Sequence, residues 1–114
     1  MAKRNAERDV KIIRGSRNVF ADLGYLDAEE RQAKLRLAYA LNQALDERKL
    51  TQSEAAKVLA VTQPKVSALR RYKLSGFSVE RLMTMLTALD RDVQIVIKRK
   101  PRSRRAARIS VVAA

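Results

Sequence analysis

The sequence contains no cysteine and no histidine among its 114 residues. Without cysteine, a disulfide framework and a thiolate metal site are excluded, and a reducing cytoplasm suits the chain. The lack of histidine removes the side chain that most often acts as a general base and, together with cysteine, the usual zinc ligands. We therefore predict a cytoplasmic protein that needs no metal and no other cofactor.

Glycine and aromatic residues are also scarce, with three glycines and 4% aromatic side chains. No glycine-rich phosphate loop is present, and Ser53, Ser67 and Asp92 have no partner base, so we expect no catalytic activity. Only Tyr72 lies near the most basic helix, which disfavours RNA binding because RNA-binding modules commonly stack bases on several aromatic rings.

Long hydrophobic runs are missing as well. No stretch approaches the length of a membrane-spanning helix, and the first residues, MAKRNAERDV, lack the apolar segment of a secretory signal. These observations predict a protein that does not associate with a membrane through a spanning segment.

Positive charge, by contrast, is abundant, with a formal net charge of +13. Residues 98–108 hold seven Lys or Arg and no acid, and residues 1–17 hold six against two acids, which leaves only +2 for residues 18–97. We predict one domain at 18–97 between two disordered basic arms, 1–17 and 98–114. Such arms attract nucleic-acid phosphates in a salt-dependent way, although they could also confer solubility or bind an acidic partner or an anionic membrane.

Residues 52–73 carry the clearest motif, two short helices joined by a tight turn. Thr51 and Glu54 form a capping box for the first helix. Thr62 is the predicted N-cap of the second helix, and Pro64 falls in its first turn, where a missing N–H costs nothing. Val66 is expected to point inward together with Leu69 three residues later.

With Val66 and Leu69 inward, helical geometry determines where the other side chains of the second helix lie. Those on the outer face are Pro64, Ser67, Ala68 and Arg71, and those on the flanks are Lys65 and Arg70. A helix in the major groove reads bases with the outer residues near its N-terminus and contacts phosphates from its flanks. We expect Gln63 on a base edge such as adenine and Arg71 on guanine or phosphate. The predicted DNA-binding residues are Gln52, Thr62, Gln63, Pro64, Lys65, Ser67, Ala68, Arg70, Arg71 and Lys73.

The remaining pattern predicts two more helices and one strand. A long helix is expected over residues 27–49, with Asp27 as its N-cap. Its inward stripe is Leu37, Leu41, Ala44 and Leu45, widened by Leu35. Another helix is expected over residues 79–89, with Ser78 as its N-cap. Residues 92–98 alternate as a β-strand does. The predicted fold class is all-α, a small helical bundle with one C-terminal β-strand.

A lone strand must find a partner, since its backbone groups would otherwise remain unbonded. Gly15 and Gly24 bracket residues 18–23, which we expect to form one short turn or an extended segment. The partner of the strand is either this segment, if extended, or the same strand of a second copy. The second option makes a homodimer whose interface residues are Val93, Ile95 and Ile97, with half-sites about 34 Å apart on the DNA.

The spacing of Gln52, Ala56, Val61, Val66 and Leu69 resembles the helix-turn-helix of the phage-repressor-like XRE family. That family usually has glycine where Ala60 stands. Beyond the motif, the stretches NVFADLG, QPKVS and GFSVERL, with DRDV before the strand, resemble HigA-like antitoxins over residues 18–97. The resemblance implies a repressor of its own operon that binds double-stranded DNA and has a RelE-like toxin as a possible partner.

Two functions remain open besides such a repressor and antitoxin. The chain could be an interaction module that neutralises a partner protein without binding DNA, although Lys65, Arg70 and Arg71 argue against a loss of DNA affinity. It could also be an orphan regulator that has no toxin.

Overall fold

The computed structural model describes the backbone of residues 19–113 and the side chains of residues 27–113. This part of the chain contains four helices: α1 (Val19–Arg48), α2 (Gln52–Leu59), α3 (Gln63–Arg70) and α4 (Val79–Ala88). The small helical bundle predicted from the sequence is therefore confirmed. The predicted arm at residues 1–17 and the side chains of residues 18–26 lie outside the described residues.

Helix α1 begins earlier than the sequence predicted. The expected turn or extended segment within residues 19–23 is wrong, because Val19–Arg48 is one continuous helix of 30 residues. Gly24 lies inside it, at a cost of only about 1 kcal/mol relative to alanine. Asp27 is not an N-cap but an interior residue, and its Oδ2 lies 3.6 Å from Nη1 of Arg31 one turn later. Lys49 ends the helix in the left-handed conformation, with φ 55°.

The core is the face of α1 that packs against α3 and α4. Leu37, Leu41, Ala44 and Leu45 are buried as predicted, and they meet apolar side chains from all three other helices. The prediction for Leu35 is wrong, because its side chain is 45% exposed. Two residues before Leu37 it lies about 200° away around the helix, on the side opposite the core.

The predicted C-terminal strand is not formed in the described residues. Residues 92–98 have neither helical nor strand structure, and Ile95 and Ile97 are 74% and 93% exposed. The intrachain partner considered for the strand is itself helical at residues 19–23. β-Propensity alone does not order a strand, because its N–H and C=O groups need a neighbouring strand to bond.

The chain beyond residue 98 turns and comes back to α1. The amide of Arg104 donates to the main-chain oxygen of Pro101 at 3.2 Å, which closes the turn. The amide of Ile109 then donates to Oε1 of Glu29 at 3.3 Å, and Nη1 of Arg36 donates to the main-chain oxygen of Val111 at 3.3 Å. Val111 also packs against the core. The predicted disorder of residues 98–114 stays a prediction.

None of the helices described is long and apolar enough to traverse a bilayer.

Candidate nucleic-acid interface

Helix α2 begins at the capping box predicted from the sequence. Oγ1 of Thr51 accepts a hydrogen bond from the amide of Glu54 at 3.1 Å, and Oε1 of Glu54 accepts one from the amide of Thr51 at 2.9 Å. Ala55, Ala56 and Leu59 are buried beneath the helix. Small residues there let neighbouring helices approach closely, which places α2 and α3 in direct contact.

The turn between α2 and α3 is built on Ala60 in the left-handed conformation, with φ 58° and ψ 44°. The left-handed conformation costs a non-glycine residue about 1–2 kcal/mol. This cost agrees with the glycine that the resembled family usually has at this position. The main chain compensates locally, because the amide of Val61 donates to the oxygen of Ala56 at 3.0 Å. Nη2 of Arg81 also donates to the oxygen of Ala60 at 3.2 Å and so ties α4 to the turn.

Helix α3 starts at Thr62, whose Oγ1 accepts a bond from the amide of Lys65 at 3.4 Å, with Pro64 in the first turn. Val66 and Leu69 are completely enclosed, as their three-residue spacing predicts. Both apolar anchors and both caps of the motif are therefore confirmed, and they determine which side chains of α3 face outward.

Most of the predicted DNA-binding side chains lie on the surface. Ser67 is half-buried, and Ala68 is half-buried and packs against the core, whereas both were expected on the outer face. Among the residues that the structure describes, Arg71 bonds only to its own helix, through Nε to the main-chain oxygen of Ser67 at 3.3 Å. The predicted contacts that are exposed at the two ends of α3 and at the start of α2 are Gln52, Thr62, Gln63, Pro64, Arg71 and Lys73.

Lys65 is exposed but already engaged within the protein. Its Nζ donates to the main-chain oxygen of Gly76 at 2.8 Å and lies 4.9 Å from the centre of the Phe77 ring. A side chain at position 76 would meet this nitrogen, because a Cβ built on Gly76 lies 2.9 Å from it. Lys65 thus fixes the loop that follows α3, and a phosphate contact by Lys65 would have to share or replace these bonds.

Arg70 points towards α1 and not towards the surface that Gln63 and Arg71 share. Its guanidinium donates to both oxygens of Asn42, at 3.1 and 3.0 Å, and to Oδ1 of Asp46 at 2.5 Å. This placement differs from the flank position predicted from the helical periodicity. Periodicity gives only the angle at which a side chain leaves its helix, and the long arginine follows the acceptors offered by α1.

Asn42 and Asp46 are the residues that the sequence interpretation missed. Asn42 is buried, and its Nδ2 donates to the main-chain oxygen of Leu69 at 3.1 Å. The signal was present in the sequence, because an asparagine interrupts the apolar stripe of α1 between Leu41 and Ala44. A buried amide of this kind is stable only with hydrogen-bond partners, and those partners lie on α3.

The electrostatic character of α3 favours an anionic ligand. The helix contains no acidic residue, and its exposed N-terminal turn presents the positive end of the helix dipole. Within the described residues, neither Arg71 nor Lys73 forms an ion pair with an acidic side chain. A phosphate backbone along the outer side of α3 would therefore meet cations that no described carboxylate neutralises.

Comparison with known proteins places this geometry in a family. A helix-turn-helix domain model matches residues 19–98. A solved structure described as an "XRE Family Transcriptional Regulator" is 73% identical, and the match covers 77% of this chain and 99% of that chain with a TM-score of 0.74. No curated protein matches the sequence. Such regulators are normally not enzymes, in agreement with the sequence prediction.

The matched residues include both helices of the motif, the loop after α3 and the whole of α4. With its confirmed caps, left-handed turn and exposed second helix, the chain belongs to the XRE family of helix-turn-helix DNA-binding transcriptional regulators.

Proposed function

We propose that the protein is a sequence-specific repressor that inserts the N-terminal half of α3 into the major groove of double-stranded DNA. The observation that carries this proposal is the exposure of Gln63 and Pro64 in the first turn of α3 and of Arg71 and Lys73 just after its last residue. Recognition helices contact base edges near their N-termini and phosphates from their flanks.

Each exposed side chain has a role that its chemistry suits. Gln63 can form two hydrogen bonds with an adenine edge, and Pro64 can contact a thymine methyl group. Arg71 suits a guanine or a phosphate, while Lys73 suits a phosphate. Since the outer side of α3 offers few hydrogen-bonding groups, the shape of the DNA must supply part of the sequence preference.

The proposed repressor acts as a homodimer. Ile95 and Ile97 are strongly exposed on a segment without regular structure, whereas Val93 is half-buried against its own core. Burying these two isoleucines against a second copy would remove a large apolar area from water. A two-fold dimer would also present two copies of α3 to a palindromic site.

The finer proposal is that this regulator is the antitoxin of a toxin–antitoxin pair and represses its own operon. It rests on the resemblance of residues 18–97 to HigA-like antitoxins, which implies a RelE-like toxin as a partner. A regulator without a toxin would present the same surface on α3. Co-purification with the product of an adjacent reading frame, followed by a test of whether the chain neutralises its toxicity, distinguishes the two.

The test of DNA recognition is selection from a random pool of duplexes by the full-length chain, followed by affinity measurements at increasing salt. We expect one sequence family to be enriched and to bind at least about tenfold more tightly than a scrambled duplex of the same composition. Equal affinity for both duplexes would contradict sequence-specific recognition and leave only non-specific DNA binding. Absence of binding to either duplex would favour the alternative of a module that binds a partner protein without DNA.

A further inference from the structure

We propose that Arg70 sets the orientation of α3 from its inner side, through Asn42 and Asp46 of α1, and that it is not a phosphate contact. This inference rests on the proposed function, because the orientation of α3 matters only if α3 reads DNA. The guanidinium links α3 to α1, because both of its acceptors lie on α1. Nη1 donates to Asn42, and Nη2 donates to Oδ1 of Asp46 at 2.5 Å.

Asn42 completes the link between the helices. Its side chain is only 7% exposed, and both ends of its amide are used. Oδ1 accepts from Nη1 of Arg70 at 3.0 Å, while Nδ2 donates to the main-chain oxygen of Leu69 at 3.1 Å. A single side chain of α1 is thereby bonded to the backbone and to a side chain of α3. Burial of this amide is tolerated because both ends have partners.

These hydrogen bonds restrict the rotation of α3 about its axis, which the apolar contacts of α3 do not. Val66 and Leu69 hold the helix against the bundle, but apolar contact is non-directional. Hydrogen bonds have restricted distances and angles, so the bonds from Asn42 and Arg70 restrict rotation of α3 about its own axis. Since α3 has only eight residues, a rotation at its last turn also moves Gln63 in its first. Arg70 is in this sense a positioning residue for the side chains that meet the DNA.

The change in DNA affinity on neutralising Asp46 has opposite signs for a positioning role and for an effect of charge alone. Asp46 is an exposed acid of a protein that is proposed to approach phosphates, so an effect through charge alone would make its neutralisation strengthen DNA binding. Positioning predicts the reverse, because the neutral amide of Asp46→Asn holds the guanidinium less strongly than the carboxylate does. The partial exposure of the pair, 36% for Arg70 and 65% for Asp46, means that the effect is moderate.

The experiment compares five full-length chains: the wild type, Arg70→Lys, Arg70→Gln, Asp46→Asn and Lys73→Gln. The probes are a duplex that the wild type selects from a random pool and its scrambled counterpart, each titrated over a salt series. Circular dichroism verifies that every chain is folded at the assay temperature. Lys73→Gln is the matched control, since it removes an exposed cation three residues from Arg70.

For the three changes at Arg70 and Asp46, we expect affinity for the selected duplex to fall about three- to tenfold, with little change for the scrambled one. The slope of log K against log salt should stay at its wild-type value, because every side chain that binds a phosphate is still present. For Lys73→Gln, both duplexes should bind more weakly, and the slope should flatten by about 0.9 for the one phosphate that is no longer neutralised.

Arg70→Lys separates the two roles most clearly, because it keeps the positive charge but loses the planar fork. Positioning predicts that this chain loses discrimination between duplexes, whereas a phosphate contact predicts near wild-type binding. The inference is overturned if Arg70→Gln flattens the slope as Lys73→Gln does, if Asp46→Asn strengthens binding, or if discrimination is unchanged in all three. If the wild type itself selects no sequence, the proposed function fails first, and the inference fails with it.

Discussion

At the scale of single residues, the helix-turn-helix is held by bonds that join the ends of its helices to the rest of the protein. Arg81 bonds to the turn oxygen of Ala60, Lys65 to the loop oxygen of Gly76, and Asn42 to the last turn of α3. Each donor is a side chain and each acceptor is a main-chain oxygen that a helix end or turn leaves available. The orientation of α3 is thus stabilised by these hydrogen bonds as well as by the apolar core.

The left-handed residue of the turn leads to a prediction of stability. Because Ala60 has φ 58°, Ala60→Gly should raise the free energy of unfolding by about 0.5–1 kcal/mol, as glycine has no Cβ penalty there. The greater freedom of glycine in the unfolded chain offsets part of the gain. Urea denaturation measures the difference.

The control for this prediction is the same substitution inside a helix. Ala28 is exposed within α1, so Ala28→Gly should lower the free energy of unfolding by about 0.5–1 kcal/mol. Equal destabilisation by both changes would show that the left-handed conformation at Ala60 carries no strain.

At the scale of secondary-structure elements, the sequence predicted the local helix signals well. Both caps of the motif follow from hydroxyl residues placed before apolar spacing, and so does the cap of α4, where Oγ of Ser78 accepts from the amide of Arg81 at 3.0 Å. The start of α1 could not be predicted in this way. Gly24 suggested a break, but one glycine costs less than a long helix gains, so α1 continues back to Val19.

Two other features could not be predicted from the sequence, because they depend on residues that are neighbours only in the folded structure. Residues 92–98 have the alternation of a strand, but a strand exists only where another strand offers hydrogen bonds. Arg70 has the spacing of a flank residue, but the direction of its side chain is decided by Asn42 and Asp46, which lie 28 and 24 residues earlier. The asparagine within the apolar stripe of α1 indicates that a buried amide needs a partner, but the pattern does not identify Arg70 or Leu69 as that partner.

The capping box of α2 gives the prediction at this scale. Thr51→Ala removes the hydroxyl that accepts from the amide of Glu54 at 3.1 Å, while the amide that donates to Oε1 of Glu54 at 2.9 Å is retained. The change should lower the free energy of unfolding by about 1 kcal/mol. Thermal or urea unfolding checks the value. The neighbouring Ser53→Ala serves as the control, because Ser53 is exposed and forms no cap; a loss as large in this control would refute the assignment to the box.

At the scale of the whole molecule, charge and apolar exposure are both concentrated after α4. Residues 98–108 hold seven cations and no acid, and Ile95 and Ile97 precede them with their side chains largely in water. The contacts of Ile109 and Val111 with α1 return the end of this segment to the bundle. The basic residues therefore lie between an exposed apolar stretch and a point of attachment to α1.

The proposed dimer is tested by placing a charge in the exposed apolar stretch. Ile95→Lys should convert a dimeric chain into a monomer, because a buried lysine in the interface has no partner for its charge. Sedimentation at several protein concentrations measures this change. Gln94→Lys adds the same charge at the neighbouring exposed position and should leave the dimer intact. A parent chain that is itself monomeric, or an Ile95→Lys chain that stays dimeric, contradicts the proposed interface.

The outer side of α3 is proposed to read the DNA sequence, while the basic tail adds affinity. The most direct measurement is the ratio of affinities for a selected and a scrambled duplex, taken for the wild type, for Gln63→Ala with Arg71→Ala, and for a chain without residues 98–114. We expect the α3 changes to reduce this ratio by tenfold or more, since each side chain that reads a base edge contributes about 1–3 kcal/mol of discrimination. The truncated chain should keep the ratio, with weaker binding and a flatter salt dependence. Loss of the ratio on truncation, together with an unchanged ratio in the α3 variant, would contradict this division of roles.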